Sequence, residues 1–128
     1  MNKKNNRKKG HWAEDVAAYY LENYKKHQIV TRNYSDKTGE IDIISKVDQL
    51  YIFTEVKYRA NLLHGTPGQA VNYRKQEHII RTAILFLQKR RVAHPQIRFD
   101  VVEVVGTNRE NVRVRHIENA FTSNGYYL

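Results

Sequence analysis

Residues 39–59 limit the possible folds more than any other stretch of this chain. Gly39-Glu40-Ile41-Asp42-Ile43-Ile44 is followed, after the polar break Val47-Asp48-Gln49, by Ile52-Phe53-Thr54-Glu55-Val56-Lys57. Both segments are dense in β-branched and aromatic residues, so they read as two strands of a β-hairpin. Alternation sends Tyr51, Phe53, Glu55 and Lys57 to one face and Ile52, Thr54 and Val56 to the other. With Asp48-Gln49 as the loop, Val47 faces Leu50, Lys46 faces Tyr51, and the count carries Asp42 opposite Glu55. Directly opposed side chains are about 4.5–5.5 Å apart at Cβ, where like charges repel. Such a pair calls for a cation. Lys57, two residues along the same face, is one candidate and a divalent metal is the other. The count depends on an even loop, since an odd one would slip the register by a residue.

A chain of 128 residues is about one domain, and a hydrophobic content of 41% is that of a globular protein. No apolar run approaches the length of a membrane span. The basic N-terminus has no apolar stretch behind it, as a signal peptide would, so the expected location is cytoplasmic and no membrane association is expected. Absence of cysteine excludes disulfides and thiolate metal sites. A net charge of +9 makes a polyanion, above all nucleic acid, the expected partner class. Residues 1–9 carry Lys3, Lys4, Arg7, Lys8 and Lys9 without an acid. They are expected to be a flexible tail, either solvated or touching phosphates, ahead of a single domain over 10–128.

Ala13, Val16, Ala17, Tyr20, Leu21 and Tyr24 recur at helical spacing, which predicts an amphipathic helix over 11–24 with Glu14 beside its apolar stripe. A short strand is expected over 28–33, leading through a turn cluster into the hairpin. Thr66, Pro67 and Gln69 have the spacing of a helix start, so a long helix is predicted to run to about Lys89. Its inward residues would be Val71, Ile79, Ala83, Phe86 and Leu87, and Arg74, Lys75, Arg81, Lys89 and Arg90 would remain outside. Residues 97–105 are apolar enough for a strand covered on both sides. Alternation over 112–117 predicts a last strand, and a helical turn is expected near 118–121. The order α-β-β-β-α-β-β implies an α/β fold with a central mixed sheet flanked by helices.

Hard divalent ions take oxygen ligands, commonly one or two carboxylates with water and substrate phosphate. Asp42 with Glu55 could supply such a pair for Mg²⁺ or Mn²⁺, and Lys57 could offset charge growing on a phosphate. The chemistry would be phosphodiester hydrolysis. A surface salt-bridge cluster on an exposed sheet face is the alternative reading of the same three residues. His11, His27, His64, His78, His94 and His116 lack metal spacing, and no P-loop or Ser-His-Asp pattern is present.

Gly39-Glu40-Ile41-Asp42-Ile43-Ile44, Phe53-Thr54-Glu55-Val56-Lys57-Tyr58-Arg59, Gly65-Thr66-Pro67 and Arg98-Phe99-Asp100-Val101-Val102 together resemble the YraN family of small bacterial proteins. The likeness covers about residues 10–121. That family is similar to the restriction-endonuclease-like superfamily, particularly archaeal Holliday-junction resolvases. Its signature is an acid followed by Asp/Glu-x-Lys. The resemblance implies a restriction-endonuclease-like core, with Asp42 and Glu55 as metal ligands and Lys57 as the catalytic lysine. It also implies Glu14 as a further metal ligand and Gln69 as a polar support for Lys57. Ile41 stands where the superfamily motif has proline. Arg98 and Asp100 belong to the pattern, with a structural role expected. The implied activity is Mg²⁺- or Mn²⁺-dependent endonucleolysis of branched or irregular DNA in recombination or repair. A non-cleaving nucleic-acid-binding protein of the same fold is the alternative. Lys8, Lys9, Arg59, Arg74 and Lys75 are the expected nucleic-acid contacts, and a homodimer would suit cleavage of both strands.

Overall fold

The computed structural model describes the backbone of residues 3–61 and 71–123, and side chains from residue 12 onward within those limits. Seven elements follow in the expected order. They are α1 (Lys3–Asn23), β1 (Gln28–Asp36), β2 (Gly39–Val47), β3 (Leu50–Arg59), α2 (Tyr73–Lys89), β4 (Gln96–Asn108) and β5 (Asn111–Phe121). The strands form one sheet in the order β1-β2-β3-β4-β5. Only β3 and β4 run parallel, because α2 carries the chain back between them; the other neighbours are antiparallel. The fold is therefore mixed α/β, a five-stranded mixed sheet with two helices. No helix among the described residues is long and apolar enough to cross a membrane.

The helices take opposite faces of the sheet. Ala13, Ala17 and Leu21 of α1 are fully buried against Ile43, Val102 and Val104. Alanine at i and i+4 leaves no side chain between helix and sheet, so α1 lies close down on β3 and β4. On the other face Ile79, Ile80, Ala83, Phe86 and Leu87 of α2 bury against Ile41, Ile44, Phe53, Phe99 and Val101. The Phe86 ring meets Tyr34 edge-on at 5.1 Å and Phe53 at 6.1 Å, and Phe99 stacks on Phe121 at 5.1 Å. Each such pair adds about 0.5–1.5 kcal/mol beyond its buried area. β4 contributes to both clusters, as its near-continuous apolar run implied.

Three expected boundaries differ. The first helix starts at Lys3, not near residue 11, and runs through the basic segment. Lys, Arg and Asn tolerate helix and no proline intervenes. The second helix starts at Tyr73, not at Pro67. Asn72 is extended at φ −73° and ψ 168°, and its side chain accepts the Lys75 N–H at 2.9 Å, which ends any helix arriving from before it. Thr66, Pro67 and Gln69 lie outside the described residues, as do the side chains of Lys8 and Lys9. The turn expected over 118–121 is strand. Asn119 adopts φ +54° and gives its N–H to Asp100 at 3.0 Å, while Phe121 pairs with Phe99.

Candidate active site

The β2–β3 hairpin has the counted register: Val47 pairs with Leu50 and Lys46 with Tyr51, through to Ile43 with Thr54. The ladder ends there, one pair before Asp42 and Glu55. Instead of continuing it, Asp42 turns its own carboxylate into the gap, where Oδ2 accepts the Val56 N–H at 2.8 Å. The regular ladder stops at this point, with Asp42 and Glu55 on the first unpaired positions of the two strands.

Glu55 is buried, with its side chain 7% exposed, and Oε1 has Lys57 Nζ and Lys75 Nζ each at 3.7 Å. Lys57 comes from the same strand face and Lys75 from the first turn of α2. Even with both ammonium groups beside it, burial and the Asp42 charge push Glu55 up from 4.5 to about 7. Asp42 is also raised, chiefly by burial, against the pull of the Val56 N–H and Lys75. Glu14, on α1 and so on the other face of the sheet from α2, comes within charge range of Asp42. Burial and then Asp42 raise it from 4.5 to about 7, Arg32 opposing. Its Oε1 is buried without a hydrogen-bond partner. Asp42, Glu55 and Lys57 thus act on one another, whereas Glu14 feels Asp42 and Glu40 but is not brought to Glu55 or Lys57; Glu40 adds a further negative charge to all three acids.

These residues fit a hard divalent cation in kind, since they are oxygen donors whose mutual repulsion an ion would relieve and one of which has an orphaned buried oxygen. Among the described residues, no three His, Cys, Asp or Glu side chains form a ready-made ion cage. Glu55 is already countered by lysine. Asp42 and Glu55 would make the first contacts, and Glu14 would have to close on them.

Of the expected nucleic-acid contacts, Lys75 is engaged by Glu55, as above. Arg59 turns to the fully buried Glu103, whose Oε2 accepts its Nε–H at 3.0 Å. Arg74 lines an open hollow with Lys75. Glu103 was not singled out from the sequence, although it pairs with Lys57 across the parallel ladder and its Oε1 is buried without a partner. Only the parallel register, invisible to local pattern, brings these two side by side.

Arg98 and Asp100, expected to be structural, form a second polar cluster beyond these acids. Both Asp100 oxygens accept from Arg98 at 2.8 Å, Oδ2 also contacts His116 Nε2 at 2.7 Å, and Oδ1 takes the Asn119 N–H. Burial alone would raise this carboxyl, but the hydrogen bonds from His116, Arg98 and Asn119 bring it down to about 2. Nearby, His27 Nδ1 is bonded to Ser45 Oγ at 2.9 Å. The scattered histidines 27 and 116 are thus joined in a clamp between the α1–β1 corner and the β4–β5 edge.

A family model described as "Uncharacterised protein family UPF0102" matches residues 13–104, from the middle of α1 into β4. The chain is 42% identical over 117 residues to a UPF0102 protein of Clostridioides difficile, covering 91% of this chain and 99% of that one. Identity to a UPF0102 protein of Natranaerobius thermophilus is 40% over 119 residues, 91% of this chain and 99% of the relative. For one of Clostridium beijerinckii it is 39% over 123 residues, 95% and 99%. The relatives match from end to end, and the chain belongs to the uncharacterised protein family UPF0102, the YraN family its motifs resembled.

Proposed function

We propose that this protein is an endonuclease that hydrolyses phosphodiester bonds in branched or otherwise irregular DNA, using Mg²⁺ or Mn²⁺ at Asp42 and Glu55 with Glu14 completing the set. The observation that carries the reading is the pairing of charges just past the end of the β2–β3 ladder. Half-buried Asp42 and buried Glu55 act on each other there, with Lys57 and Lys75 both 3.7 Å from Glu55 Oε1. A bound divalent ion would supply an acidified water and a counter-charge for the phosphate. Asp42 is fixed in orientation by the Val56 N–H. Lys57, 29% exposed, is open enough to meet a phosphate while anchored to Glu55, and there it would offset charge growing on the phosphoryl oxygens. Gln69 would steady Lys57, as the family resemblance implies. Lys8, Lys9, Arg74 and Lys75 would track the backbone; Arg59, held by Glu103, would brace the site's floor. Cleavage of both strands would suit a symmetric dimer, and the reaction would serve recombination or repair in the cytoplasm.

The decisive experiment incubates four-way, duplex and single-stranded DNA with Mg²⁺ or Mn²⁺. Metal-dependent cutting is expected, with loss of about 100-fold or more in Asp42→Asn and Lys57→Ala. A second reading, a non-cleaving nucleic-acid-binding protein, draws on the two lysines that already counter Glu55 without an ion. Salt-sensitive binding with no metal-dependent cutting of any substrate would support it, and weak, salt-insensitive binding would reject both.

A further inference from the structure

Beside the carboxylates lies an open hollow of about 340 Å³, lined by Gly39, Glu40, Asn72, Arg74, Lys75 and His78. Its walls are the start of β2 and the first turns of α2, and they are held together. Thr38 Oγ1 meets Thr82 Oγ1 at 2.8 Å, and His78 Nδ1 donates to the Thr38 carbonyl at 3.1 Å. Gly39, at φ +150°, permits this approach, since a Cβ there would stand 3.2 Å from Thr82 Oγ1. The hollow is therefore a built feature of the fold. Two permanent cations line it against one acid, Glu40, and Asn72 keeps its amide N–H₂ as a donor while Oδ1 caps the helix. Tyr73, next in sequence to Asn72 and Arg74 but not itself part of the lining, is 82% exposed.

We infer that this hollow seats one unpaired nucleotide of the bound strand, its phosphate against Arg74 and Lys75 and its base reaching past the lining to the exposed Tyr73. The inference rests on the reading of the neighbouring carboxylates as a phosphodiester-cleaving site, and it adds what that site would select. A bare phosphate of five heavy atoms would leave most of such a space to solvent, whereas a nucleotide of about twenty suits a cavity in the usual range for small ligands. A base stacked within a duplex cannot enter; it must be flipped or already unpaired, which is cheapest at a branch, end or mismatch. Lys75 couples the two places, because the ammonium that would take the phosphate also lies 3.7 Å from Glu55. The nucleotide in the hollow would then adjoin the scissile one.

The test uses the full chain without metal, titrated by calorimetry with a nucleoside 5′-monophosphate and, separately, with inorganic phosphate. The nucleotide is expected to bind at least tenfold more tightly. Tyr73→Ala should weaken the nucleotide about tenfold and leave phosphate unchanged, since base–aromatic stacking is sequence-tolerant and lost with the ring. Arg74→Ala should weaken both about tenfold. Arg113→Ala, at an exposed position of β5, should change neither. Equal affinity for nucleotide and phosphate, or equal losses in Arg74→Ala and Arg113→Ala, would overturn the inference. Because no metal is present, the outcomes are separable from cleavage. Cutting without nucleotide binding sinks only the hollow, and nucleotide binding without cutting sinks only the nuclease.

Discussion

Glu55→Gln should make this protein more stable at neutral pH, and the size of the gain follows from the site. Glu55 ionises at about 7 in the fold against an ordinary 4.5. Between those values the native state holds more protons than the unfolded chain, so stability is greatest below pH 4.5 and falls as pH rises through 7. At 1.36 kcal/mol per pH unit, the ionised carboxylate costs about 3 kcal/mol above pH 7. Gln keeps the shape and carries no charge to desolvate. For a domain of this size about 3 kcal/mol corresponds to roughly 10 °C in Tm. The assay is thermal unfolding by circular dichroism at pH 5 and pH 8, each with and without Mn²⁺. A gain of that order at pH 8, shrinking to under about 1 kcal/mol at pH 5, is expected. Mn²⁺ should raise the Tm of the native chain and do much less for the variant. A variant less stable than the parent at pH 8, or equally stabilised at both pH values, would refute the electrostatic account of the site.

Three further outcomes are expected. Asp100→Asn should cost about 3 kcal/mol at pH 7, because it removes the buried negative charge and one of the two oxygens that Arg98, His116 and the Asn119 N–H share, turning an amide N–H₂ toward donors. The parent's Asp100 contribution is complete above its ordinary 3.8 and disappears as pH falls toward about 2, so urea unfolding across that window should be flatter in the variant. Gly106→Ala should destabilise by about 2 kcal/mol or more, read by the same urea titration at pH 7, since φ there is +151° and a Cβ would sit 2.2 Å from the Asn111 carbonyl. Asn72→Ala should cost about 1 kcal/mol through loss of the Lys75 N–H acceptor, and hydrogen exchange should speed up in the first turn of α2 before anywhere else in that helix.

The hairpin register was legible because a two-residue loop and strict alternation leave one solution, and the pairs from Val47–Leu50 to Ile43–Thr54 follow it. The buried stripe Ala13, Ala17, Leu21 was legible for the same reason, as periodicity is local. What the count could not show is that the ladder stops before Asp42, since an aspartate able to replace a carbonyl as the acceptor of Val56 N–H looks like any other strand residue. Lys75 shows the same limit at longer range. It lies twenty residues from Glu55 on another element, and only the crossover through α2 brings its ammonium to the carboxylate. The start of α2 was not legible because Asn72, which caps it by accepting the Lys75 N–H, stands in the sequence as an ordinary polar residue after the stronger Thr66-Pro67 signal. Asn119 concealed the end of β5, because a residue at positive φ resembles a stop yet here donates to Asp100 and lets the strand resume at Phe121.

The two acid clusters differ in a way that separates structure from work. Asp100 is fully buried and has every neighbour a carboxylate needs: a guanidinium fork, an imidazole and a backbone N–H, which together hold it ionised down to about pH 2. The chain can therefore satisfy a buried acid completely. For Glu14, Asp42 and Glu55 it does not. Glu14 and Glu55 both rise to about 7, Asp42 rises with them, and a Glu14 oxygen is left without a partner. Simple packing does not account for gathering like charges at several kcal/mol of expense when isosteric amides would remove the repulsion. Perturbed acids near one another are what the proposed site would use to bind a cation or a proton, whose arrival would relieve the repulsion that Lys57 and Lys75 only partly offset. If Mg²⁺ does not lower those ionisations, as followed by carboxyl carbon NMR through pH 5 to 8, that reasoning fails at its root.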